Sequence, residues 1–194
     1  MRYTLYILYL VEFANWNSQG VIGYGCGNGS SKQSTGYTDN LSYHTGTTQS
    51  SKTTYGIGTQ YRYIEGLWDN VYDWVDGIYF NSNGMNIIMN PSNFSDSTGG
   101  TLVGVPAVGT PIAFEIKDVN SIFQLIVPSS SIGGGNTYSC DMFYYYSNMP
   151  SIYCGGDYSR TENYGLFLIG CGYVTDSYPN VGCRLMVLPS SRIN

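Results

Sequence analysis

Glu65-Gly66-Leu67-Trp68-Asp69-Asn70-Val71-Tyr72-Asp73-Trp74-Val75-Asp76-Gly77 is the stretch whose reading decides the fold. It holds two of the three tryptophans of the chain, with Leu67, Val71, Tyr72 and Val75 between and around them. Large rings at this density can bury a large apolar area, so the block is the expected core anchor. The set Val71, Trp74 and Val75 suits a short helix or turn, leading into a strand over 78–80. An aromatic core around Trp68 and Trp74 is therefore expected.

On the N-terminal side, Leu5, Leu8 and Tyr9, with Ala14 and Trp16 beyond, suit one face of an amphipathic helix over 3–17, stopping near Asn17-Ser18. Glu12, so soon after the apolar run, argues against a secretory signal peptide. No stretch approaches the ~20 apolar residues of a membrane span. Glycines crowd 20–29, and 30–54 is rich in Ser, Thr, Gly, Asn and Gln, which predicts an irregular loop or short strands. On the C-terminal side, Asn83-Gly84, Asn90-Pro91, Gly99-Gly100 and Gly133-Gly134-Gly135 punctuate short apolar runs over 87–89, 102–105 and 123–127. Short strands in an irregular frame fit that pattern. Residues 183–189 read as a buried final strand closed by Pro189. No internal repeat interrupts the chain, and one domain over 1–194 is the expectation for this length.

The composition narrows what such a domain does. Charged residues make up 11% of the 194 positions, against about 25% in ordinary globular chains. Ser, Thr, Asn, Gly and 20 tyrosines must keep the surface wet instead. These are also the residues of adaptable binding surfaces, since Tyr gives large contact area at low entropy cost. A net charge of -5, with eight basic residues that never cluster, removes the electrostatic footprint of a nucleic-acid binder. His44 is the only histidine and has no zinc-spaced companion. Cys26, Cys140, Cys154, Cys171 and Cys183 are odd in number and form no Cys-x-x-Cys. Small buried thiols are expected of most of them, with a single bridge left open.

The aromatic block, Gly155-Gly156-Asp157-Tyr158, Gly165-Leu166-Phe167 and Gly182-Cys183-Arg184-Leu185, taken in order, resemble the formylglycine-generating-enzyme branch of the C-type lectin fold. In that branch a Gly-Asn-aromatic-Trp-Glu-Trp segment precedes Gly-Gly-x-Trp, Gly-Leu/Ser-Phe/Arg and Gly-x-Arg strands. Here Asp69 stands for the usual Gly and Asp73 for the usual Glu. The last third is similar to variable proteins of diversity-generating retroelements, and the stretch from Leu8 to Gly23 with Trp74-Val75-Asp76-Gly77 resembles structural proteins of gut phages and prophages. The resemblance implies an α+β fold with a small twisted antiparallel sheet, one or two helices and many irregular loops. It implies a fixed frame of Trp68, Asn70, Trp74, Gly155, Gly156, Gly165, Phe167, Gly182 and Arg184. It also implies a variable region over 138–183 whose exposed face carries the contacts. The candidate ligand-binding residues are Tyr144, Tyr145, Tyr146, Ser147, Asn148, Tyr153, Asp157, Ser159, Arg160, Asn163, Tyr164, Leu168, Gly170, Cys171, Tyr173, Asp176, Ser177 and Tyr178. Many are types reached by replacing adenines in an asparagine codon. The bland alternative is that 144–146 is simply a strand of an aromatic core.

Enzyme readings find little support. The oxidases of this fold need reactive cysteines near the chain end, and neither Cys171 nor Cys183 has a basic neighbour other than Arg184, which the resemblance makes structural. A hydrolase triad would need His44 as base and a Gly-x-Ser-x-Gly elbow, which is absent. Carboxylate pairs such as Asp73/Asp76 and Glu65/Asp69 read as core-polar or capping groups rather than a glycosidase pair. Calcium-dependent sugar binding uses Glu-Pro-Asn or Gln-Pro-Asp loops, which are also absent, so no cofactor is expected beyond an optional structural calcium. The expectation is a non-enzymatic display domain, the C-terminal part of a longer phage tail-tip or prophage-encoded surface protein. Its partner would be a bacterial surface protein or glycan, its location the virion or the cell surface, and its assembly a homo-oligomer such as a trimer. Neither nucleic acid nor membrane insertion is expected. A structural virion module packed against another tail protein is the competing reading, and a formylglycine-generating-type oxidase the weaker one.

Overall fold

The computed structural model describes residues 2–23, 32–34, 36–39, 44–46, 58–68, 70–104, 108–109, 111–119, 124–131, 141–160 and 164–183. The fold is α+β, with short strands in small sheets and two helices. Helix α1 spans Arg2–Phe13 and helix α2 spans Ser18–Val21. The first three strands, β1 (His44–Gly46), β2 (Thr59–Tyr61) and β3 (Ile64–Glu65), form one antiparallel sheet in that order. Strands β5 (Ile78–Asn81), β6 (Gly84–Ile87) and β7 (Thr101–Gly104) form a meander, and β8 (Pro111–Asp118) pairs with β9 (Gln124–Ser131). The remaining sheet joins the decisive aromatic block to the C-terminal third. It runs β11 (Ile169–Gly172), β10 (Ser151–Cys154), β4 (Tyr72–Val75), β12 (Val181–Gly182), with β12 parallel to β4.

Helix α1 turns Leu5 and Tyr9, one turn apart, into a buried cluster with Ile22, Tyr61, Leu67, Trp68, Leu166 and Phe167. Tyr9 meets Tyr61 and Phe167 edge-on at 5.8 and 5.5 Å. The helix stops earlier than the apolar spacing predicts. Ala14 adopts a left-handed φ of 49°, which a side chain resists, and the chain restarts at α2 behind Asn17, whose carboxamide oxygen caps Gly20 N–H at 2.7 Å. The expected helix over 3–17 thus ends at Phe13, and a separate short helix follows it at Ser18–Val21.

Trp68 is the predicted anchor. It is fully buried, its indole N–H donates to Gly23 O at 3.0 Å, and its own carbonyl accepts from Thr59 Oγ1 at 3.1 Å. Asn70 also serves the frame, exchanging hydrogen bonds with the Gln33 backbone in both directions and accepting from Tyr158 N–H. Trp74 departs from expectation. Residues 72–75 are a strand rather than a helix or turn, so Tyr72 and Trp74 share one face and Asp73 and Val75 the other. Val75 packs on the second core cluster with Phe80, Met85, Ile87, Val103, Val119, Val127, Phe143, Ile152, Cys154 and Cys171, while Trp74 lies half-buried on the opposite face. The single antiparallel sheet that was expected is four small sheets, one of them mixed. Of the anticipated final strand, 184–189 lie outside the described residues, as does Arg184.

Asp141 closes a turn within the C-terminal third, and Ser18 ties that turn to the N-terminal helices. Buried Asp141 accepts from Gly165 N–H at 2.7 Å and from Phe167 N–H at 2.9 Å, and Ser18 Oγ accepts from Leu166 N–H at 2.9 Å. Three consecutive amides of a buried turn are thereby satisfied by side chains. A Cβ on Gly165 would lie 2.6–2.8 Å from Ser18 Oγ and the Asp141 oxygens, so only glycine admits this clamp. Asp141→Ala leaves two buried amides unpaired at about 1–3 kcal/mol each. Urea unfolding is expected to show a loss of at least ~2 kcal/mol; an unchanged midpoint would contradict this role.

Candidate functional site

Alternation along the mixed sheet creates two unlike faces. In register, Cys171, Ile152 and Val75 form a row directed to the core, and Gly170, Tyr153 and Trp74 form the next row, directed away from it. Tyr72 joins that outer face two residues before Trp74. Tyr153 packs between them, with ring centroids 4.7 Å from Tyr72 and 5.8 Å from Trp74. The small residues opposite are required. A Cβ on Gly170 would lie 2.6 Å from both the Tyr144 and the Tyr153 rings, and one on Gly172 would lie 3.2 Å from Trp74. With glycine at 170, Tyr144 reaches Tyr153 at 6.0 Å and 70° between planes, and their hydroxyl groups touch.

Three loop segments rise around this aromatic floor and complete a groove of about 420 Å³. Residues 144–149 contribute Tyr144, Tyr146 and Met149, and Tyr146 N–H donates to Cys171 Sγ at 3.1 Å. The turn after β11 contributes Tyr173, Asp176, Tyr178 and Asn180, with Asp176 accepting from Tyr173 N–H at 2.9 Å. The segment after β10 contributes Arg160, whose guanidinium lies 5.2 Å from the centre of the Tyr164 ring. Tyr146 and Tyr178 are each 57% exposed and Tyr173 41%, so the rim offers rings to solvent while the floor is sheltered.

Asp157 holds two of these segments together. It is completely buried; one carboxylate oxygen accepts from Ser159 N–H at 3.1 Å and Ser159 Oγ at 2.8 Å, and the other accepts from Asn180 Nδ2. Burial, reinforced by the Asp157 charge and by Tyr164 and Tyr153, pushes the Tyr72 phenol well above its ordinary value. Tyr153 is raised in the same way, by burial first and then by Cys171 and Tyr164. Desolvation lowers the Arg160 pKa, and its neighbours Tyr164, Tyr72 and Asp157 outweigh that effect, so the guanidinium remains charged. The floor of the groove therefore presents the neutral phenols of Tyr72 and Tyr153, and its lining carries the cation of Arg160 and the carboxylate of Asp176.

Nine of the candidate contact residues line it: Tyr144, Tyr146, Tyr153, Arg160, Tyr164, Cys171, Tyr173, Asp176 and Tyr178. Asn148 supports the rim through Nδ2, which donates to Tyr173 OH at 3.3 Å, and Ser147 and Ser177 lie exposed beside it. Five candidates need correction as exposed contacts. Asp157 and Leu168 have no exposed surface, Gly170 is buried under the tyrosines, Cys171 belongs mainly to the core, and Tyr145 stacks on Phe80 at 4.5 Å. Ser159 serves Asp157, and Asn163 lies outside the described residues. Residues 144–146 are not a strand of an aromatic core; Tyr144 and Tyr146 turn to the groove and Tyr145 inward.

The glycine frame behaves unevenly. A Cβ on Gly156 would lie 2.1 Å from Tyr164 O, and Gly155 has a φ of 74°, so both positions need glycine. At Gly182 the nearest atom would be 3.4 Å away, an ordinary contact. Tyr72 and Trp74, assigned by sequence to the core, are groove residues; the signal was the Tyr72/Trp74 against Asp73/Val75 alternation. Cys154 and Cys171 are buried, and burial raises the Cys171 pKa, which disfavours its nucleophilic form. A second hollow of about 590 Å³ between β6 and β7 carries no charged or aromatic side chain. Among the described residues, no group of three His, Cys, Asp or Glu side chains is placed to hold a metal ion, and no helix is long and apolar enough to cross a membrane.

The chain matches no protein-family model, no curated protein and no solved structure.

The raised phenols carry a pH signature. Unfolded tyrosine titrates near about 10. The stability that comes from keeping Tyr72 and Tyr153 neutral is complete below that pH and is lost as pH rises above it, because the unfolded chain then releases protons the folded chain retains. In an alkaline titration these phenols are expected to ionise only together with loss of the near-ultraviolet circular dichroism. Complete ionisation of all 20 tyrosines in a chain that is still folded would contradict the burial described.

Proposed function

We propose that this chain is a recognition domain that binds its ligand in the tyrosine-lined groove. It would be displayed on a phage tail tip or prophage-encoded surface protein and directed at a bacterial surface ligand. The observation that carries the reading is the convergence of seven candidate residues from three loop segments (Tyr144, Tyr146, Arg160, Tyr164, Tyr173, Asp176 and Tyr178), with Tyr153 of β10 beneath them, on one groove. A volume of about 420 Å³ lies in the range of ~300–1,000 Å³ common to ligand sites, and aromatic anchors supply most of the energy in such sites. The C-type lectin architecture of the formylglycine-generating-enzyme branch belongs to the same proposal and rests on the sequence motifs. In that architecture a rigid frame carries a permissive face. Asp141, Asp157, Gly156 and Gly170 fit the first role, and Tyr146, Arg160, Tyr173 and Tyr178 the second. Display as a trimer would multiply a modest single-site affinity through effective concentration.

The alternative of a structural module packed on a neighbouring virion protein has its own support in α1, where Val11 is 80% and Leu8 38% exposed. Binding of fluorescently labelled chain to a panel of Gram-negative and Gram-positive cells separates the two. Tyr146→Ala and Tyr178→Ala, both at exposed rim positions, are expected to reduce cell binding at least tenfold with folding intact. Val11→Ser is expected to leave it unchanged. Binding insensitive to both rim variants, or absent from every cell type, would favour the structural module.

A further inference from the structure

The charge at the groove is asymmetric in a way that bears on what enters it. Asp157 is buried, and its two oxygens already accept from Ser159 and Asn180. Asp176 is turned onto the Tyr173 amide. Arg160 is exposed; its guanidinium rests on the Tyr164 ring and hydrogen-bonds the Tyr72 side chain, and among the described residues it forms no ion pair. In a chain with a net charge of -5 and only eight basic residues, this places a cationic fork, whose remaining N–H donors meet no carboxylate among the described residues, at the mouth of an aromatic hollow. Such a fork matches two oxygens of a carboxylate or phosphate.

We infer that the groove takes an acidic sugar of a bacterial surface glycan, with the sugar's anionic oxygens on Arg160 and its ring against Tyr72, Trp74 and Tyr153. The inference rests on the groove being the ligand site and adds the chemistry of the ligand. A sugar fits on three counts. Its apolar C–H face packs on aromatic rings. Its hydroxyls meet the phenols of the floor, which are protonated at neutral pH. An open groove of about 420 Å³ suits a small saccharide portion, whereas a protein partner calls for a contact face of about 800 Å². Single-stranded nucleic acid also stacks and is anionic, but a single lining cation offers little of the phosphate neutralisation its binding relies on.

The test uses the full chain on an array of bacterial-type oligosaccharides in matched pairs. Each uronic-acid sugar stands beside its carboxyl-reduced form and each phosphorylated sugar beside its dephosphorylated form, and an oligothymidylate is included. Binding is expected at acidic members, with at least a tenfold loss in the neutral partner and an equal loss in Arg160→Gln; Arg160→Lys is expected to recover part of it. The uronic-acid and phosphate arms report which anion is preferred. Circular dichroism of Arg160→Gln confirms that this exposed substitution leaves the fold intact. Equal binding of acidic and neutral members, lost in Tyr153→Phe or Trp74→Ala but not in Arg160→Gln, would overturn the anionic assignment and leave the groove as the ligand site. No saccharide bound, or the oligothymidylate bound as well as any sugar, would overturn the inference; the cell-binding variants then decide separately whether the groove is a ligand site.

Discussion

The Asp141 carboxylate and the Ser18 hydroxyl grip three consecutive amides, Gly165 to Phe167, in a place without exposed surface. A turn buried there without those acceptors would leave donors unpaired at a cost comparable to a sizeable share of a domain's net stability. With them, Leu166 and Phe167 can enter the aromatic cluster under α1, and the chain leaves the turn in position to begin β11. Strand β11 then supplies both Gly170 on the groove face and Cys171 on the core face. One buried acid thus orders the turn, and Ser18 of α2 couples it to the N-terminal helices.

From that sheet outward, shape follows from side-chain size. Gly170 and Gly172 are absent volume, and Tyr144, Tyr153 and Trp74 occupy what they leave. Asp157 repeats the Asp141 device one layer nearer the surface, pinning Ser159 and Asn180 so that two rim segments keep their spacing. Polar groups are buried for position, and rings are exposed for contact. This division lets a rim residue change without disturbing the frame, because no buried hydrogen bond passes through the phenols of Tyr146 or Tyr178.

The parts of the structure legible in the sequence are those set by local pattern. The Asn83-Gly84 signal marks the β5–β6 turn, where Asn81 Oδ1 accepts from Asn83 N–H, and the apolar spacing of Leu5 and Tyr9 marks α1. What was not legible depends on distant partners. Arg62 and Tyr63 both adopt left-handed φ in the β2–β3 turn, a place where Asn-Gly is usual. The turn is steadied by Arg62 and Tyr61, which both meet Glu12 from α1, at 3.2 and 3.0 Å. Trp74 was misplaced because a four-residue strand and a helical turn share the same apolar spacing. Asp157 was misplaced because burial is decided by what folds over a segment, and its partner Asn180 lies 23 residues away in sequence.

The division between frame and contact face is the central claim, and a single-substitution scan of the displayed chain with two readouts tests it most directly: surface display for folding, and capture of the bacterial cells that the unaltered chain binds. Substitutions at Tyr146, Arg160, Tyr173 and Tyr178 are predicted to keep display and lose capture, while those at Asp141, Gly156, Asp157 and Gly170 lose display itself. Rim substitutions that lower display as much as the frame substitutions do, or that leave capture unchanged, would contradict it.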